Sequence, residues 1–500
     1  GTSGTDYLKT SDISKASDQT FYLDARVNYD RQFNLHHVTG MLMYMQREYR
    51  SSVLPERNQG FSGRFTYDYG QRYLVELNFG YNGTERLAKK ERFEFFPAVS
   101  LGWVISNEKF FEPMTKYIDN LKIRGSYGLV GSDETGLSAG AQHFLYIDQV
   151  SLNNIGFTTG VDMNYTLYGP LVTNYAVVNG GWERVKKLDI GIDLELFRQL
   201  TITADYFNEK RYNILLHREA WPESLGYYTA KPWSNKGKVD NWGIELSVNW
   251  RKEFTKDLYV DFRGNFTYTE NKYVNLDEPV YPYVWKTSTG KPLSRTTGYI
   301  AQGLFSSQEE IDNSPTQNLG STVKPGDIKY RDVNGDGKID GSDQVMISPY
   351  GTTPRIQYGL GMNVTYKKFD FGVFFNGSAK RTIMISGISP FGQSDYNVMQ
   401  FIADDYWSES NPNPNAKYPR LGLTSSQTAN NTVASTYWMR NGNFIRFKTL
   451  ELGYKFKYGR VYLNGDNIAV FSPFKLWDPE LSWNAYPLQR TFNIGVQLNF

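Results

Sequence analysis

The most constraining feature of this chain is a recurring alternation of apolar and polar side chains. In "FYLDARVNYD", Phe21, Leu23, Ala25, Val27 and Tyr29 share one parity, and Tyr22, Asp24, Arg26, Asn28 and Asp30 share the other. "RYLVELNFGYN" sets Tyr73, Val75, Leu77, Phe79 and Tyr81 against Leu74, Glu76, Asn78, Gly80 and Asn82. The pattern returns in "DNWGIELSVNW", "DLYVDFRGNFTYTE", "RIQYGLGMNVTY" and "RTFNIGVQLNF". Successive side chains of a strand point to opposite faces, so each run has one apolar and one polar face. Each run is about ten residues, the length a tilted strand needs to cross a bilayer. Aromatic residues often end the apolar face, as an interfacial girdle requires.

Fifteen such strands are predicted: 21–31, 37–47, 61–69, 73–82, 96–105, 120–130, 184–196, 199–208, 241–251, 257–269, 355–367, 369–379, 443–456, 459–468 and 490–500. Their links alternate. Short ones fall near 30–37, 68–71, 197–199, 251–256, 367–369 and 457–460. Long ones fall over 46–60, 82–95, 131–184, 211–240, 272–353, 381–441 and 471–488. "NEKFFEPMTKYIDN" is a longer link on the short side, and a helical turn is expected in it. Short–long alternation is the pattern of an up-and-down membrane barrel with tight periplasmic turns and long external loops. A propeller would repeat self-similar blades, and none is visible. A sandwich with one buried face shows the same alternation and stays open as the soluble alternative. The expected class is therefore all-β: a transmembrane, antiparallel, up-and-down β-barrel.

Composition fits this class. The mean hydropathy is −0.52, and no run approaches the about 18 apolar residues of a spanning helix. Barrel strands alternate, which keeps that average low. Aromatics are 16% of 500 residues, and Gly numbers 45. No cysteine is present, which removes disulfides, thiolate metal sites and a Cys nucleophile. Lys+Arg is 54 against 52 Asp+Glu, so nothing in the charge calls for nucleic acid. The opening "GTSGTDYLKTSDISKASDQT" is polar and has no apolar signal core. Single-chain bacterial barrels carry even strand counts. An odd count that starts in a polar stretch leads to the expectation that 1–500 is the C-terminal part of a larger barrel.

"DVNGDGKIDGSD" (332–343) has the spacing of a calcium loop. Oxygen ligands suit Ca²⁺, and such a loop supplies them at positions one, three, five, seven, nine and twelve. Those are Asp332, Asn334, Asp336, the Lys338 carbonyl, Asp340 and Asp343. Gly337 stands at the sharp turn, and Ile339 is the expected apolar anchor. Asp343 replaces the usual Glu and is one methylene shorter. The preceding "GDIKYR" reads as extended rather than helical. The competing account is a turn capped by its own Asp and Asn side chains. A structural Ca²⁺ stiffening an external loop is the expectation.

Four segments together resemble the SusC-like family of TonB-dependent outer-membrane transporters. They are "LKIRGSYGLVG" (121–131), "WERVKKLDIGIDLELFRQLTITADYFNEKRYNIL" (182–215), "GLFSSQEEID" with the calcium-type loop and "YGLGMNVTYKKFDFGVFFNG" (303–377), and "NFIRFKTLELGYKF" through "YPLQRTFNIGVQLNF" (443–500). The resemblance implies a barrel of about 22 strands, plugged by an N-terminal domain that TonB grasps. The plug and first strands are not in this chain. It also implies outer-membrane uptake of large nutrients, chiefly oligosaccharides and sometimes peptides, in a Gram-negative bacterium. A SusD-like surface lipoprotein is the implied partner. Phe500, closing an alternating terminal strand, resembles the assembly signal of outer-membrane barrels. Two other classes stand beside this one: a secreted calcium-stabilised carbohydrate-binding module or enzyme, and a passive porin.

No GxSxG, HExxH or P-loop pattern appears, so no enzymatic role is expected. His36 and His37 are adjacent and best read as a turn. Flat aromatic faces stack on sugars and anchor protein contacts. On that ground Trp221, Trp233 and Trp407 in the long links are candidates for ligand or lid contact.

Overall fold

The computed structural model describes residues 17–51, 55–134, 144–177, 179–225, 231–385, 398–422, 424–482 and 485–499. Fifteen antiparallel strands form one sheet in which chain order is spatial order. They are β1 Gln19–Phe33, β2 His36–Arg50, β3 Glu56–Tyr69, β4 Tyr73–Thr84, β5 Phe93–Val104, β6 Ile118–Ser132, β7 Glu183–Leu196, β8 Leu200–His217, β9 Trp233–Thr255, β10 Leu258–Asn275, β11 Ile356–Tyr366, β12 Phe369–Ala379, β13 Phe444–Phe456, β14 Gly459–Phe471 and β15 Thr491–Leu498. Each matches one predicted run. Several outrun the length of about ten residues expected of them. β9 has 23 residues and β8 and β10 have 18 each, because backbone pairing continues past the apolar stretch into the polar link. The link expected over 46–60 shrinks for the same reason to 51–55.

The sheet is inside-out by the standard of a water-soluble protein. Val27 is 70% exposed, Leu101 58% and Ile494 80%. The opposite parity carries the charge. In the first compact unit (Gly1–Asn107, Arg124–Asp189 and Glu209–Lys238), Arg64 meets Glu76 at 2.7 Å and Lys187 meets Glu209 at 2.8 Å. In the second unit (Glu108–Ile123, Ile190–Asn208 and Val239–Phe500), one register row crosses six strands, Asp261–Asn363–Gly372–Glu451–Asn464–Asn493. It lies entirely on the polar parity. The soluble sandwich requires one parity of the strands to be buried against a second sheet, and here the apolar parity stands exposed.

The predicted helical turn in "NEKFFEPMTKYIDN" is present as the 3₁₀ turn Lys109–Met114, and a shorter one, Ile105–Asn107, precedes it. His36 and His37 are not in the turn. Residues 34–35 make it, with Asn34 at φ +55°, and the histidines open β2 on opposite faces. His36 Nδ1 lies 2.8 Å from the Tyr67 hydroxyl, and His37 Nε2 lies 2.8 Å from Asp30. The longest unanticipated element is a hairpin. Within the long link 131–184, Gln149–Thr159 and Tyr165–Asn174 pair as a hairpin broken by three register shifts.

A conventional core lies in the second unit, outside the strands. The links after β10, β12 and β14 pack together around Ile328, Ile339, Ile402, Trp407, Trp438 and Phe474. Short pairings order this loop assembly: Thr296–Gly298 with Val345–Ser348, Ala301–Leu304 with Ile328–Tyr330, and Thr316–Gln317 with Lys338–Ile339 in parallel.

Candidate functional site

The Asp-rich loop is anchored at two points. Ile339 is fully buried in the core of the loop assembly, the anchor role expected of it. Asp343 is also fully buried, inside the 3₁₀ turn Gly341–Asp343. Its carboxylate accepts the N–H groups of Val333 at 2.8 Å and Asp340 at 2.9 Å. A carboxylate fixed by backbone donors in this way acts as the pivot of the loop. Asp340 caps the same turn and accepts from Ser342 N at 2.7 Å. That hydrogen bond holds the Asp340 carboxyl below the usual carboxylate range.

The remaining acids turn the chain. Asp332 accepts from Gly335 N at 2.6 Å and Gly337 N at 2.8 Å. Asp336 accepts from Lys338 N at 2.9 Å and from the Asn334 amide at 2.9 Å. Gly337 adopts φ +79°, the left-handed conformation its position demands. The flank before the loop is extended, as expected, over Ile328–Tyr330. Among the described residues, no group of three or more acidic or histidine side chains converges as a metal centre would.

An aromatic strap lies on the loop. Tyr283 and Trp285 stack at 4.8 Å between ring centroids. The Trp285 indole N–H donates to Ser342 O at 2.8 Å, and the Asn334 amide donates to the Tyr283 hydroxyl at 3.0 Å. The Lys286 ammonium donates to Gly341 O. Nothing in the sequence signals that Tyr283 and Trp285, some fifty residues upstream, meet this loop.

Behind the loop runs a buried polar network. Asp327 is fully buried beside Arg420, whose guanidinium donates to it at 3.1 Å. The Asn431 amide donates to the same carboxylate at 2.6 Å. Gln317 accepts from Tyr330 N at 2.7 Å and donates to Asn430 at 2.7 Å. The Tyr330 hydroxyl donates to Asn430 O at 2.8 Å. Burial pushes the Asp327 carboxyl up against the pull of Arg420, and it pushes the Tyr330 phenol up as well. Every member has partners, the condition under which a buried polar network stabilises one arrangement.

The candidate tryptophans differ in setting. Trp407 is 5% exposed and packs on the backbone of Gly326, where φ is +86° and a Cβ would collide with the indole. It serves the core of the loop assembly and offers no face to a ligand or lid. Trp233 lies 3.6 Å from His217 between ring centroids, with the rings tilted by 32°, and Trp221 lies under the Arg218 guanidinium at 5.1 Å. Both are half-buried. Phe500 lies outside the described residues.

Comparison with known proteins agrees with this architecture. SusC, a TonB-dependent receptor of Bacteroides thetaiotaomicron, is 27% identical over 469 residues, covering 88% of this chain and 43% of SusC. TonB-dependent receptor P3 of Formosa agariphila is 25% identical over 478 residues, with 88% and 45% covered. The chain thus spans under half the length of these relatives. A solved structure of the RagAB peptide transporter superposes with a TM-score of 0.69 at 18% identity, covering 97% of this chain and 55% of that one. At that identity the likeness speaks for the fold alone. The family model described as TonB dependent receptor-like, beta-barrel matches residues 1–468. The chain is homologous to SusC and belongs to this family of outer-membrane β-barrels.

Proposed function

We propose that this chain is the C-terminal barrel portion of a TonB-energised importer of large nutrients, most of all oligosaccharides. The observation that carries the proposal is the similarity to SusC across 88% of the chain, strands and long links together. The apolar parity of the strands faces lipid, and the polar parity faces the transport path. The remaining length of the relatives would supply the plug that TonB engages and the strands that complete the barrel. A SusD-like lipoprotein would cover the external mouth, with Trp221 and Trp233 as candidate contacts to ligand or lid. No catalytic role is assigned. The test is deletion of the full-length gene, followed by growth on single oligosaccharides and on peptides. Loss of growth on one oligosaccharide, reproduced by loss of TonB, is the expected result. Unchanged growth on every glycan with lost growth on peptides would replace the substrate class. Uptake that persists without TonB would return the passive porin.

The Asp-rich loop enters as a stiffener of the external side. Its donors are carboxylate, amide and carbonyl oxygens, which suit Ca²⁺. Asp332, Asn334, Asp336, the Lys338 carbonyl and Asp340 would hold the ion. Asp343, the sixth expected ligand, is fully buried and would keep the loop in shape. Isothermal titration of the purified protein with Ca²⁺ checks this. A saturable heat that Asp336→Ala removes is expected, and a flat titration contradicts the ion.

A further inference from the structure

The short turns of the second unit carry a charge that the rest of the chain does not. Stretches 251–257, 366–370 and 454–460 hold eight Lys or Arg against three Asp or Glu, a net +5, whereas the whole chain is +2. The three turns form one continuous rim. Lys367 N donates to Asp257 O at 2.7 Å, and Lys455 N donates to Lys368 O at 2.7 Å. Arg251 and Arg460 are engaged along the polar parity, by Asp261 and by Asp370 with Glu451. Lys256, Lys367, Lys368, Lys455 and Lys457 are exposed, and among the described residues no carboxylate stands within ion-pairing distance of them.

Rings stand on the same rim. Phe254 is 49% exposed, Tyr366 50% and Tyr458 61%. Each carries an ammonium above it: Lys252 over Phe254 at 5.1 Å, Lys367 over Tyr366 at 5.5 Å and Lys457 over Tyr458 at 4.9 Å. Tyr366 continues the exposed apolar file of β11, which includes Leu360 and Met362. A ring whose body lies in an apolar file and whose face carries a cation sits at a boundary between hydrocarbon and anion.

We infer that this lysine–aromatic rim is a docking surface for the anionic phospholipid headgroups of the membrane leaflet on the short-turn side. Two observations choose lipid phosphate over an acidic protein. The rim is continuous with the lipid-facing strands, and its cations stand over the lipid-side rings. Each lysine near such a surface gains from the negative headgroups, and salt screens the gain.

The full-length protein is purified in detergent, exchanged against phosphatidylglycerol or phosphatidylcholine, and its retained lipid counted by native mass spectrometry. Retention of phosphatidylglycerol over phosphatidylcholine, falling as salt rises, is expected. Replacing Lys256, Lys367, Lys368, Lys455 and Lys457 together by Gln is expected to cut phosphatidylglycerol retention by about tenfold or more. Replacing the same five by Arg is expected to keep it. Heat-modifiable gel mobility verifies that each variant is folded. Equal retention of the two lipids by the wild type overturns the inference, and that comparison needs no variant. Full retention in the folded Gln variant overturns it too, and would leave the rim to an acidic protein.

Discussion

The sheet and the loop assembly of the second unit obey opposite burial rules within one chain. In the sheet, leucines, isoleucines and valines are exposed and charges pair on the other parity. In the loop assembly, Ile328, Ile339 and Trp438 are almost completely buried. Both regions minimise apolar contact with water, but the solvent differs. Water surrounds the loops, so they need a core. Hydrocarbon surrounds the strands, so the core is replaced by lipid. Charge follows the same division. The link 276–355 carries eight Lys or Arg and ten Asp or Glu, a net −2, while the short turns of the second unit are net positive.

The comparison can be broken from the loop side first. Trp438→Ala empties a fully packed site and removes the indole N–H that donates to Asn431 O at 2.7 Å. A loss of about 3–5 kcal/mol is expected, confined to the loop assembly. Hydrogen exchange should rise over 296–348 and 424–441 and stay unchanged in β10 to β14. Exchange rising equally in the strands would mean that the assembly and the sheet share one core.

From the sheet side, Leu101→Arg places a cation on the apolar parity of β5. A cost of about 2–4 kcal/mol is expected if the site lies near the bilayer midplane. Urea titration of the full-length protein in liposomes reads it. The same change at Ser100, on the polar parity, should cost much less.

A smaller effect separates pivot from ligand in the Asp-rich loop. Asp343→Asn weakens the acceptor of Val333 N and Asp340 N and should cost about 1–3 kcal/mol locally. Asp336→Ala, exposed at the loop tip, should cost less without added Ca²⁺. Amide exchange at Val333 and Asp340 distinguishes the two.

The smallest effect is in pH. Asp340 has a lowered carboxyl pKa, so the folded loop binds its proton less readily than the unfolded chain. Its stabilisation is complete above the ordinary Asp range, about 4. It fades as the pH falls through the depressed value. Protection of the Ser342 amide should therefore be flat near neutrality and decline only in acid. A decline on raising the pH from 7 would contradict the assignment.

The strands were legible because their physics is local. A period of two, aromatic ends and alternating link lengths are all visible within tens of residues, and they located all fifteen strands in order. The hairpin at Gln149–Thr159 and Tyr165–Asn174 was not legible, because its register shifts break the period that would announce it. The loop assembly was hidden for a different reason. Asp327 meets Asn431 across 104 positions, and Gln317 meets Asn430 across 113. No spacing rule joins residues that far apart. In the Asp-rich loop the apolar anchor at Ile339 and the extended flank before it were legible. The role of Asp343 was not visible, since a carboxylate that ligates a cation and one that accepts backbone N–H groups share one letter. The lysine rim could have been found by counting charge at the short links alone.

The measurement closest to the central claim uses the absence of cysteine from this chain, with any cysteine in the rest of the full-length protein replaced by Ser. Single cysteines at Leu77 and Asn78, neighbours of opposite parity in β4, are labelled with a bimane in the full-length protein and reconstituted with brominated lipids. Strong quenching at position 77 and little at 78 is the result this account predicts. Equal quenching at both, or the reverse order, would contradict a lipid-facing sheet.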